Sequence, residues 1–358
     1  MPKLIVAQSI PCYFEPDTSP FGLANVLFAG RLVRDRFNKL NKYSEVNWID
    51  TVDPIPEAIS TPLSELMDRR ANELIGKSIT AQWSGGVDST ALLLALIKNG
   101  ISKEDLIIFY DSNSETENPF LFSWLNKNKY QMKFINSWRQ ELGNTDTDII
   151  TNGWCADQLF GSVFFSNFTH KYFEPLDKFL KGFQCPSRNL TDEHRANAIE
   201  VYKRNAQELF NIDLKIGAEL GWFINFCSKW TWVSTFNELF LLGTKSFRKT
   251  KVFYDTQYFQ GWSLNNFTNI SKTNVYSDPR NYKKELKKYI YSIVPDFEYL
   301  NNKTKKPSWN AALNADISKE YKICVKTDKG YEMHSNPLHF PITAPNLYNN
   351  SIFTKYRK

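Results

Sequence analysis

The pattern of apolar and polar positions along residues 61–151 predicts strands and helices in alternation. Short apolar runs predict strands, and longer segments with apolar positions three or four apart predict helices. The predicted strands are Ile79–Trp83, Leu106–Tyr110, Met132–Ile135 and Asp148–Thr151, and the predicted helices are Ser64–Ile75, Thr90–Asn99 and Pro119–Asn128. Elements that alternate at this spacing predict an α/β fold, with a parallel sheet and helices on both faces.

The pattern differs on either side of this region. Residues 1–60 are rich in proline and predict one helix near Leu23–Leu40. Beyond residue 165 helices dominate, at Thr191–Phe210, Leu214–Trp230, Phe236–Leu242 and Asn281–Ile293. We therefore expect an N-terminal appendage at 1–60, an α/β core at 61–165, and a mainly helical region at 166–358 that completes the core.

Composition narrows the class of protein. Of the 358 residues, 42% are hydrophobic and 15% are aromatic, which excludes an intrinsically disordered chain. The sequence has no long uncharged apolar run and no secretory signal, so we expect no membrane partner. The cysteines are scattered without a C-x-x-C pair, which argues against a disulfide framework or a zinc site. These features predict a cytoplasmic protein.

A glycine-rich segment connects the first predicted strand to the next helix. It consists of Ser84, Gly85, Gly86, Val87, Asp88, Ser89 and Thr90. Backbone N–H groups at a helix N-terminus attract anions, and glycines let the backbone approach a phosphate closely. Asp88 would repel a bare phosphate, so its presence indicates a bridging Mg²⁺. An aspartate N-cap on a glycine turn is the alternative, but the complete string favours a phosphate cradle.

A second strand–turn–helix segment, 148–161, contains Gly153 and Asp157. Asp157 follows a predicted strand, and ligands of open α/β sheets collect at the carboxyl ends of the strands. Together with Asp88 it forms a pair of carboxylates able to hold Mg²⁺ on a pyrophosphate leaving group. A capped helix start with a core Leu-Phe pair is the alternative.

Both segments resemble those of a known enzyme class. The run 84–89, Ser-Gly-Gly-Val-Asp-Ser, resembles the PP-loop of the ATP pyrophosphatase superfamily, whose members split ATP into AMP and pyrophosphate. The sequence matches neither G-x-x-x-x-G-K-[ST] nor G-x-G-x-x-G, so P-loop and Rossmann dinucleotide sites lose support. Segment 153–161 resembles the G-E-G-A-D-E-L-F-G-G motif of asparagine synthetase synthetase domains and of their β-lactam synthetase relatives.

This resemblance implies an adenine nucleotide alpha hydrolase-like fold and an AMP-forming ligase. ATP, with Mg²⁺, would adenylate a carboxylate or carbonyl oxygen for attack by an amine or ammonia. Three positions depart from the motif: Trp154 stands in place of the family Glu (Tyr in the lactam-forming relatives), Cys155 in place of Gly, and Gln158 in place of Glu. By resemblance, the position of Trp154 lines the acceptor pocket. Because Trp cannot transfer a proton, we expect a different acceptor. We interpret Cys155 as a small pocket filler rather than a nucleophile.

Weaker similarities follow at Val252–Asp255, Tyr282–Tyr289 and Leu300–Lys306. In the family, a lysine of the last segment is thought to stabilise the transition state of adenylation, and Lys305 aligns best with it. A solvated basic turn is the alternative interpretation. If Lys305 does not supply the cation, Lys283 or Lys284 is the expected source.

Other features leave the substrate open. Met1 is followed by Pro2, and the first core strand begins at Ile79, so we expect no N-terminal glutaminase domain. Residues 245–306 contain 13 basic and 5 acidic side chains, which fits a nucleic-acid surface or a solvated helical face equally well. The alternatives to a ligase are a PP-loop enzyme that modifies nucleic-acid bases and a degenerate ATP-binding protein without turnover.

Overall fold

The computed structural model describes residues 3–6, 36–37, 39, 54–161, 173–181, 192–230, 233–234, 241, 244–272, 281–303, 321–327 and 330–336. The chain forms two compact units, each assembled from separate segments. One unit, here the sheet unit, comprises Pro56–Phe160 and Asn237–Lys305. The other, the helical unit, comprises Met1–Ile55, Gly161–Phe236 and Lys306–Lys358.

Eight strands lie in the described residues. They are β1 (Lys3–Val6), β2 (Ile79–Gln82), β3 (Leu106–Tyr110), β4 (Gln131–Phe134), β5 (Ile149–Asn152), β6 (Thr250–Val252), β7 (Tyr321–Thr327) and β8 (Gly330–Asn336). The α-helices there are α1 (Leu63–Asn72), α2 (Val87–Lys98), α3 (Ser112–Glu117), α4 (Pro119–Lys127), α5 (Trp138–Gly143), α6 (Ala156–Leu159), α7 (Leu176–Lys181), α8 (Asp192–Phe210), α9 (Gly217–Ile224), α10 (Gln257–Asn265), α11 (Phe267–Lys272), α12 (Lys284–Ile293) and α13 (Phe297–Asn302).

The sheet unit contains a five-stranded sheet in the order β4-β3-β2-β5-β6, and every pair of neighbours is parallel. Ile79 of β2 pairs with Leu106 of β3 on one side and with Ile149 of β5 on the other. All five strands therefore end at the same edge of the sheet, and the loops that leave these ends share one surface. The predicted α/β class with a parallel sheet is confirmed.

Helix α2 is the central helix of this unit. Its residues from Ser89 to Leu96 are all buried, because α1 and α12 both pack against it. A helix that is apolar on every side is stable only where it is covered on every side. A second apolar cluster, formed by Phe109, Ile135, Leu142, Ile150 and Leu241, packs on the sheet near α5. Both ends of the phosphate-cradle segment are thereby anchored in the core.

The helical unit contains the 19-residue helix α8 and a dense aromatic cluster. Phe226 stacks on Trp222 with ring centroids 5.0 Å apart and meets Phe210 edge-on at 5.5 Å. The guanidinium of the buried Arg36 lies 5.3 Å from the centre of the Phe226 ring. Strands β1, β7 and β8 form an antiparallel sheet in this unit, in the order β1-β7-β8. No helix in the described ranges is long and apolar enough to span a membrane.

The predicted strands and helices of the core agree with the structure to within about three residues at their ends, as is usual for such boundaries. The single helix predicted at Leu214–Trp230 is wrong in detail: α9 starts at Gly217, and a π-helix follows at Asn225–Lys229. Strand β6 was not predicted. The helices predicted at Leu23–Leu40 and Phe236–Leu242 lie almost entirely outside the described residues.

Candidate functional site

The candidate site lies at the carboxyl edge of the parallel sheet, where the strand order reverses. The chain leaves β2 towards β3 on one side, and β5 has β6 on its other side. In open α/β sheets, the crevice between two such neighbouring strands is where ligands bind. The loop after β2 is the predicted phosphate cradle and the loop after β5 is the predicted second segment, so the topology places both at this crevice.

The cradle loop has a backbone shape that only glycine supports well. Gly85 has φ +73°, and a Cβ atom on it would lie 2.5 Å from Ser114 O and 2.8 Å from Glu117 Cβ. Gly86 is the N-cap of α2 and provides no side-chain cap, and Val87 is the first helical residue. The first N–H groups of an α-helix have no hydrogen-bond partners inside the helix, so those at the start of α2 are suited to donate to a phosphate in the cradle.

The hydroxyl side chains of the segment mainly brace the loop. Ser84 N donates to Ser89 Oγ at 3.1 Å, and the two hydroxyl oxygens are also 3.1 Å apart. The indole of Trp83, which is fully buried, donates to Thr90 Oγ1 at 3.0 Å. Ser89 and Thr90 are buried and Ser84 is exposed. Ser84 is therefore the hydroxyl of the three that faces solvent.

The second loop packs directly on the first turn of α2. A Cβ atom at Gly153 would lie 2.8 Å from Ser89 N and 2.9 Å from the carbonyl carbon of Asp88, so this position accepts only glycine. The backbone of the next residue is also held in place, because the Trp154 N–H donates to Asn152 Oδ1 at 3.2 Å. Gly153, predicted as a binding residue, thus joins the two loops of the site.

The structure brings Asp88 and Asp157 together and places Lys283 between them. The ammonium of Lys283 forms an ion pair with Asp157 Oδ1 at 2.6 Å and a short one with both carboxylate oxygens of Asp88. The Lys283 side chain is 5% exposed, whereas each aspartate is 26% exposed. Burial lowers the pKa of Lys283, but attraction by Asp157 and Asp88 outweighs it, so the net pKa is raised and the lysine stays charged.

The backbone of Lys283 is itself unusual. This residue is the N-cap of α12 with φ +56°, a left-handed conformation that costs a side chain with a Cβ about 1 kcal/mol or more. Such strain persists only where the surroundings enforce it, and it is frequent at functional sites. Here the strained turn directs the lysine side chain into the carboxylate pair.

Two tyrosines flank the pair. Tyr282 donates from its hydroxyl to Asp157 Oδ1 at 2.8 Å, and Tyr254 donates to the backbone carbonyl of Asp88 at 2.9 Å. Burial raises the pKa of both hydroxyls well above the ordinary value, and the nearby carboxylates raise it further. Both tyrosines therefore remain neutral hydrogen-bond donors at physiological pH.

Helix α13 closes the cradle from another side. Tyr299 donates from its hydroxyl to Gly85 O at 3.1 Å. Lys303 follows this helix and forms a 2.7 Å ion pair with Glu117, the same residue that abuts Gly85. Lys303 is thus held close to the cradle. Lys305, the predicted catalytic lysine, lies outside the described residues.

Cys155 has a left-handed backbone conformation, which a glycine would adopt without strain. Its φ is +68°, its side chain is 1% exposed, and it is the N-cap of α6. The thiol is packed inside the protein, which agrees with its interpretation as a pocket filler and not as an accessible nucleophile.

The carboxylate pair fits a Mg²⁺ ion provided that Lys283 shares or gives up its position between the two carboxylates. Mg²⁺ is commonly held by one or two carboxylates together with substrate phosphates. Asp88 and Asp157 supply that number of carboxylates, and no group of three or more His, Cys, Asp or Glu side chains able to hold a metal occurs among the described residues. Because Lys283 contacts both carboxylates, a metal would have to share or take over its position.

Sequence reasoning missed the central place of Lys283 and the role of Tyr254 and Tyr299. Lys283 was only a substitute for Lys305, although it belongs to the weakly similar segment Tyr282–Tyr289. Tyr254 belongs to another such segment, Val252–Asp255, but nothing in the sequence predicts that its hydroxyl contacts the backbone of Asp88, and Tyr299 gave no local signal. The chain matches no protein-family model, and no curated protein matches its sequence.

Proposed function

We propose that this chain binds ATP at the cradle and cleaves it to AMP and pyrophosphate, adenylating a carboxylate or carbonyl oxygen that an amine or ammonia then attacks. The observation that carries this proposal is the juxtaposition of a glycine cradle with two carboxylates at the reversal point of a parallel sheet. The strand order is compatible with the adenine nucleotide alpha hydrolase-like fold that the motif implies, and we include that fold in the proposal.

The cradle suits the phosphates of ATP. The open N-terminus of α2 offers backbone N–H donors and the positive end of a helix dipole. The loop contains no lysine of the P-loop type that would engage the terminal phosphates. In the proposed step, an acceptor oxygen attacks the α-phosphorus, and the bond from this phosphorus to the bridging oxygen breaks to release pyrophosphate.

Lys283 is the proposed resident cation of the reaction centre. Its ammonium, which lies between Asp88 and Asp157, would follow the phosphates of ATP and neutralise the negative charge that accumulates on the departing pyrophosphate. Lys303 is a second cation near the cradle, and Lys305 remains a proposed contributor from the adjoining segment. Tyr282 and Tyr254 hold the two aspartates in position.

Asp88 and Asp157 would hold Mg²⁺ that enters with the nucleotide. When bound there, Mg²⁺ supplies charge neutralisation for the pyrophosphate leaving group. We propose that the phosphates of ATP draw the Lys283 ammonium away from the carboxylates, which frees oxygens for the metal.

The test is release of pyrophosphate from MgATP across a panel of amino acids, aromatic acids, nucleosides and nucleic acids, with ammonium present. Asp88→Asn and Asp157→Asn should each lower the rate by about a hundredfold or more. The matched control is Asp146→Asn, since Asp146 is 92% exposed and forms an ion pair with the exposed Lys245. Near-normal rates in both site variants would contradict the two-carboxylate site.

A further inference from the structure

Trp154 is a large, exposed aromatic side chain in the loop after β5, three residues before Asp157. It is 41% exposed, whereas Trp83, Trp222, Trp230 and Trp262 are buried. Its neighbours Cys155 and Ala156 are also buried. Phe120, Phe134 and Phe297 are exposed as well, so it is the place of Trp154 in the loop after β5, next to Gly153, that sets it apart.

The indole is held on a rigid backbone. The space beside Gly153 is filled by the first turn of α2, since an added Cβ would overlap Ser89 N, and Cys155 on the other side has a left-handed backbone and a buried side chain. The backbone N–H of Trp154 is bonded to Asn152. With both neighbours fixed, the backbone of Trp154 is held in place, which removes part of the entropic cost of ordering the ring on a ligand.

The place of Trp154 also restricts what it can contact. Its Cα is about 3.8 Å from the Cα of Gly153, where an added Cβ would lie 2.8 Å from Ser89 N in the cradle. The group that reacts at the α-phosphorus must come within about 3.5 Å of it, whereas the ribose keeps adenine farther away. The closeness of Trp154 to the cradle therefore favours contact with the acceptor rather than with adenine.

We propose that Trp154 stacks on the acceptor, and that the acceptor therefore carries a flat conjugated ring next to its carboxylate or carbonyl oxygen. This inference rests on the proposed function and names its substrate class. An indole offers a broad π-face and no proton-transfer group, so it binds planar rings and performs no acid–base step. Stacking of a ring on an aromatic side chain changes affinity by about five- to a hundredfold on alanine substitution.

The experiment measures binding to the full chain in the presence of a non-cleavable ATP analogue, α,β-methylene-ATP, with Mg²⁺. Two matched pairs of probes separate planarity from size: benzoate against cyclohexanecarboxylate, and uridine against dihydrouridine. We expect the planar member of at least one pair to bind about tenfold more tightly than its saturated counterpart. The pair that responds tells aromatic acids from nucleobases.

Substitutions then assign this preference to the ring. Trp154→Ala should abolish the preference, Trp154→Phe should retain most of it, and the affinity for the ATP analogue should stay within about twofold. Equal binding of planar and saturated probes, no binding of either planar probe, or an equal loss of ATP-analogue affinity in Trp154→Ala would each overturn the inference.

The same samples distinguish this inference from the proposed function. Binding to α,β-methylene-ATP complexes needs no cleavage, and pyrophosphate release is measured in parallel with ordinary ATP. Planar selectivity without pyrophosphate release would uphold the stacking site and contradict the ligase. Pyrophosphate release without planar selectivity would do the reverse.

Discussion

Replacing Lys283 with methionine removes the cation from the carboxylate pair while keeping a side chain of similar length. In the native protein one ammonium contacts both Asp88 and Asp157. In the Lys283→Met protein, the two carboxylates face each other without the ammonium, and Tyr282 still donates a hydrogen bond to Asp157. We expect lower stability and a new affinity for divalent cations.

The magnitude follows from the geometry. The contact to Asp157 is 2.6 Å and the contact to Asp88 is shorter, so the two carboxylates lie within about 5 Å of each other. Two unit charges about 5 Å apart repel by roughly 1 kcal/mol in water and roughly 3 kcal/mol at an effective dielectric constant of 20. Because each aspartate is 26% exposed, we expect a loss of about 1–3 kcal/mol in unfolding free energy, below the cost of breaking a fully buried pair.

The assay is thermal or denaturant unfolding with and without millimolar Mg²⁺, in the absence of nucleotide. The unfolding midpoint of the native protein should hardly change with Mg²⁺, whereas the unfolding midpoint of Lys283→Met should rise because the metal replaces the ammonium. The double variant Lys283→Met/Asp88→Asn is the matched control, and it should recover stability and lose the response to Mg²⁺. Equal stability of native and Lys283→Met proteins, or an equal response of both to Mg²⁺, would refute the reasoning.

Three further predictions address the backbone of the site and its tyrosines. Gly85→Ala should abolish ATP binding and strongly destabilise the sheet unit. Gly76→Ala is the control, because Gly76 has a similar φ of +77° but nothing near its Cβ, and it should lower the unfolding free energy by only about 1 kcal/mol. Calorimetry of ATP binding and denaturant unfolding compare the two variants. Cys155→Gly should be more stable than Cys155→Ala by about 1 kcal/mol, since both lose the thiol and only glycine relieves the positive φ; the opposite order in urea unfolding would refute this. The pKa of Tyr254 is raised in the folded protein, so its contribution to stability is present below about pH 10 and is lost as the pH rises further. Above about pH 10, Tyr254→Phe should therefore reduce the fall of unfolding free energy with pH by about 1.4 kcal/mol per pH unit, and an unchanged slope would refute this prediction.

The core of the fold was predictable because its signals are local. The apolar runs at β2 and β3 and the glycine turn before α2 each fix a strand, a loop or a helix within a few residues. Strand β6 was missed because Thr250–Val252 is short and is half polar, and only its pairing with β5 makes it a strand. The same limit applies to the β1-β7-β8 sheet, whose first strand lies far from the others in sequence.

The site was predictable where one segment contains the whole motif. The cradle and the Gly153–Asp157 turn are each one continuous segment, so residue types and spacing were enough to single them out in the sequence. Lys283 contacts Asp88 although 195 residues separate them in the sequence, and no sequence periodicity predicts such a contact. The alignment of motifs favoured Lys305, which lies outside the described residues, because such an alignment does not show which lysine faces the carboxylates.

The most direct test of the account is the fate of each phosphorus atom of ATP. The full chain is incubated with Mg²⁺, ammonium and the mixed acceptor panel, once with [α-³²P]ATP and once with [γ-³²P]ATP, and the products are separated by ion-exchange chromatography. Asp157→Asn serves as the control for contaminating activities. The account predicts the α label in AMP or an adenylated product and the γ label in pyrophosphate. Release of ADP with labelled orthophosphate as the primary products, or no cleavage beyond the control, would contradict it.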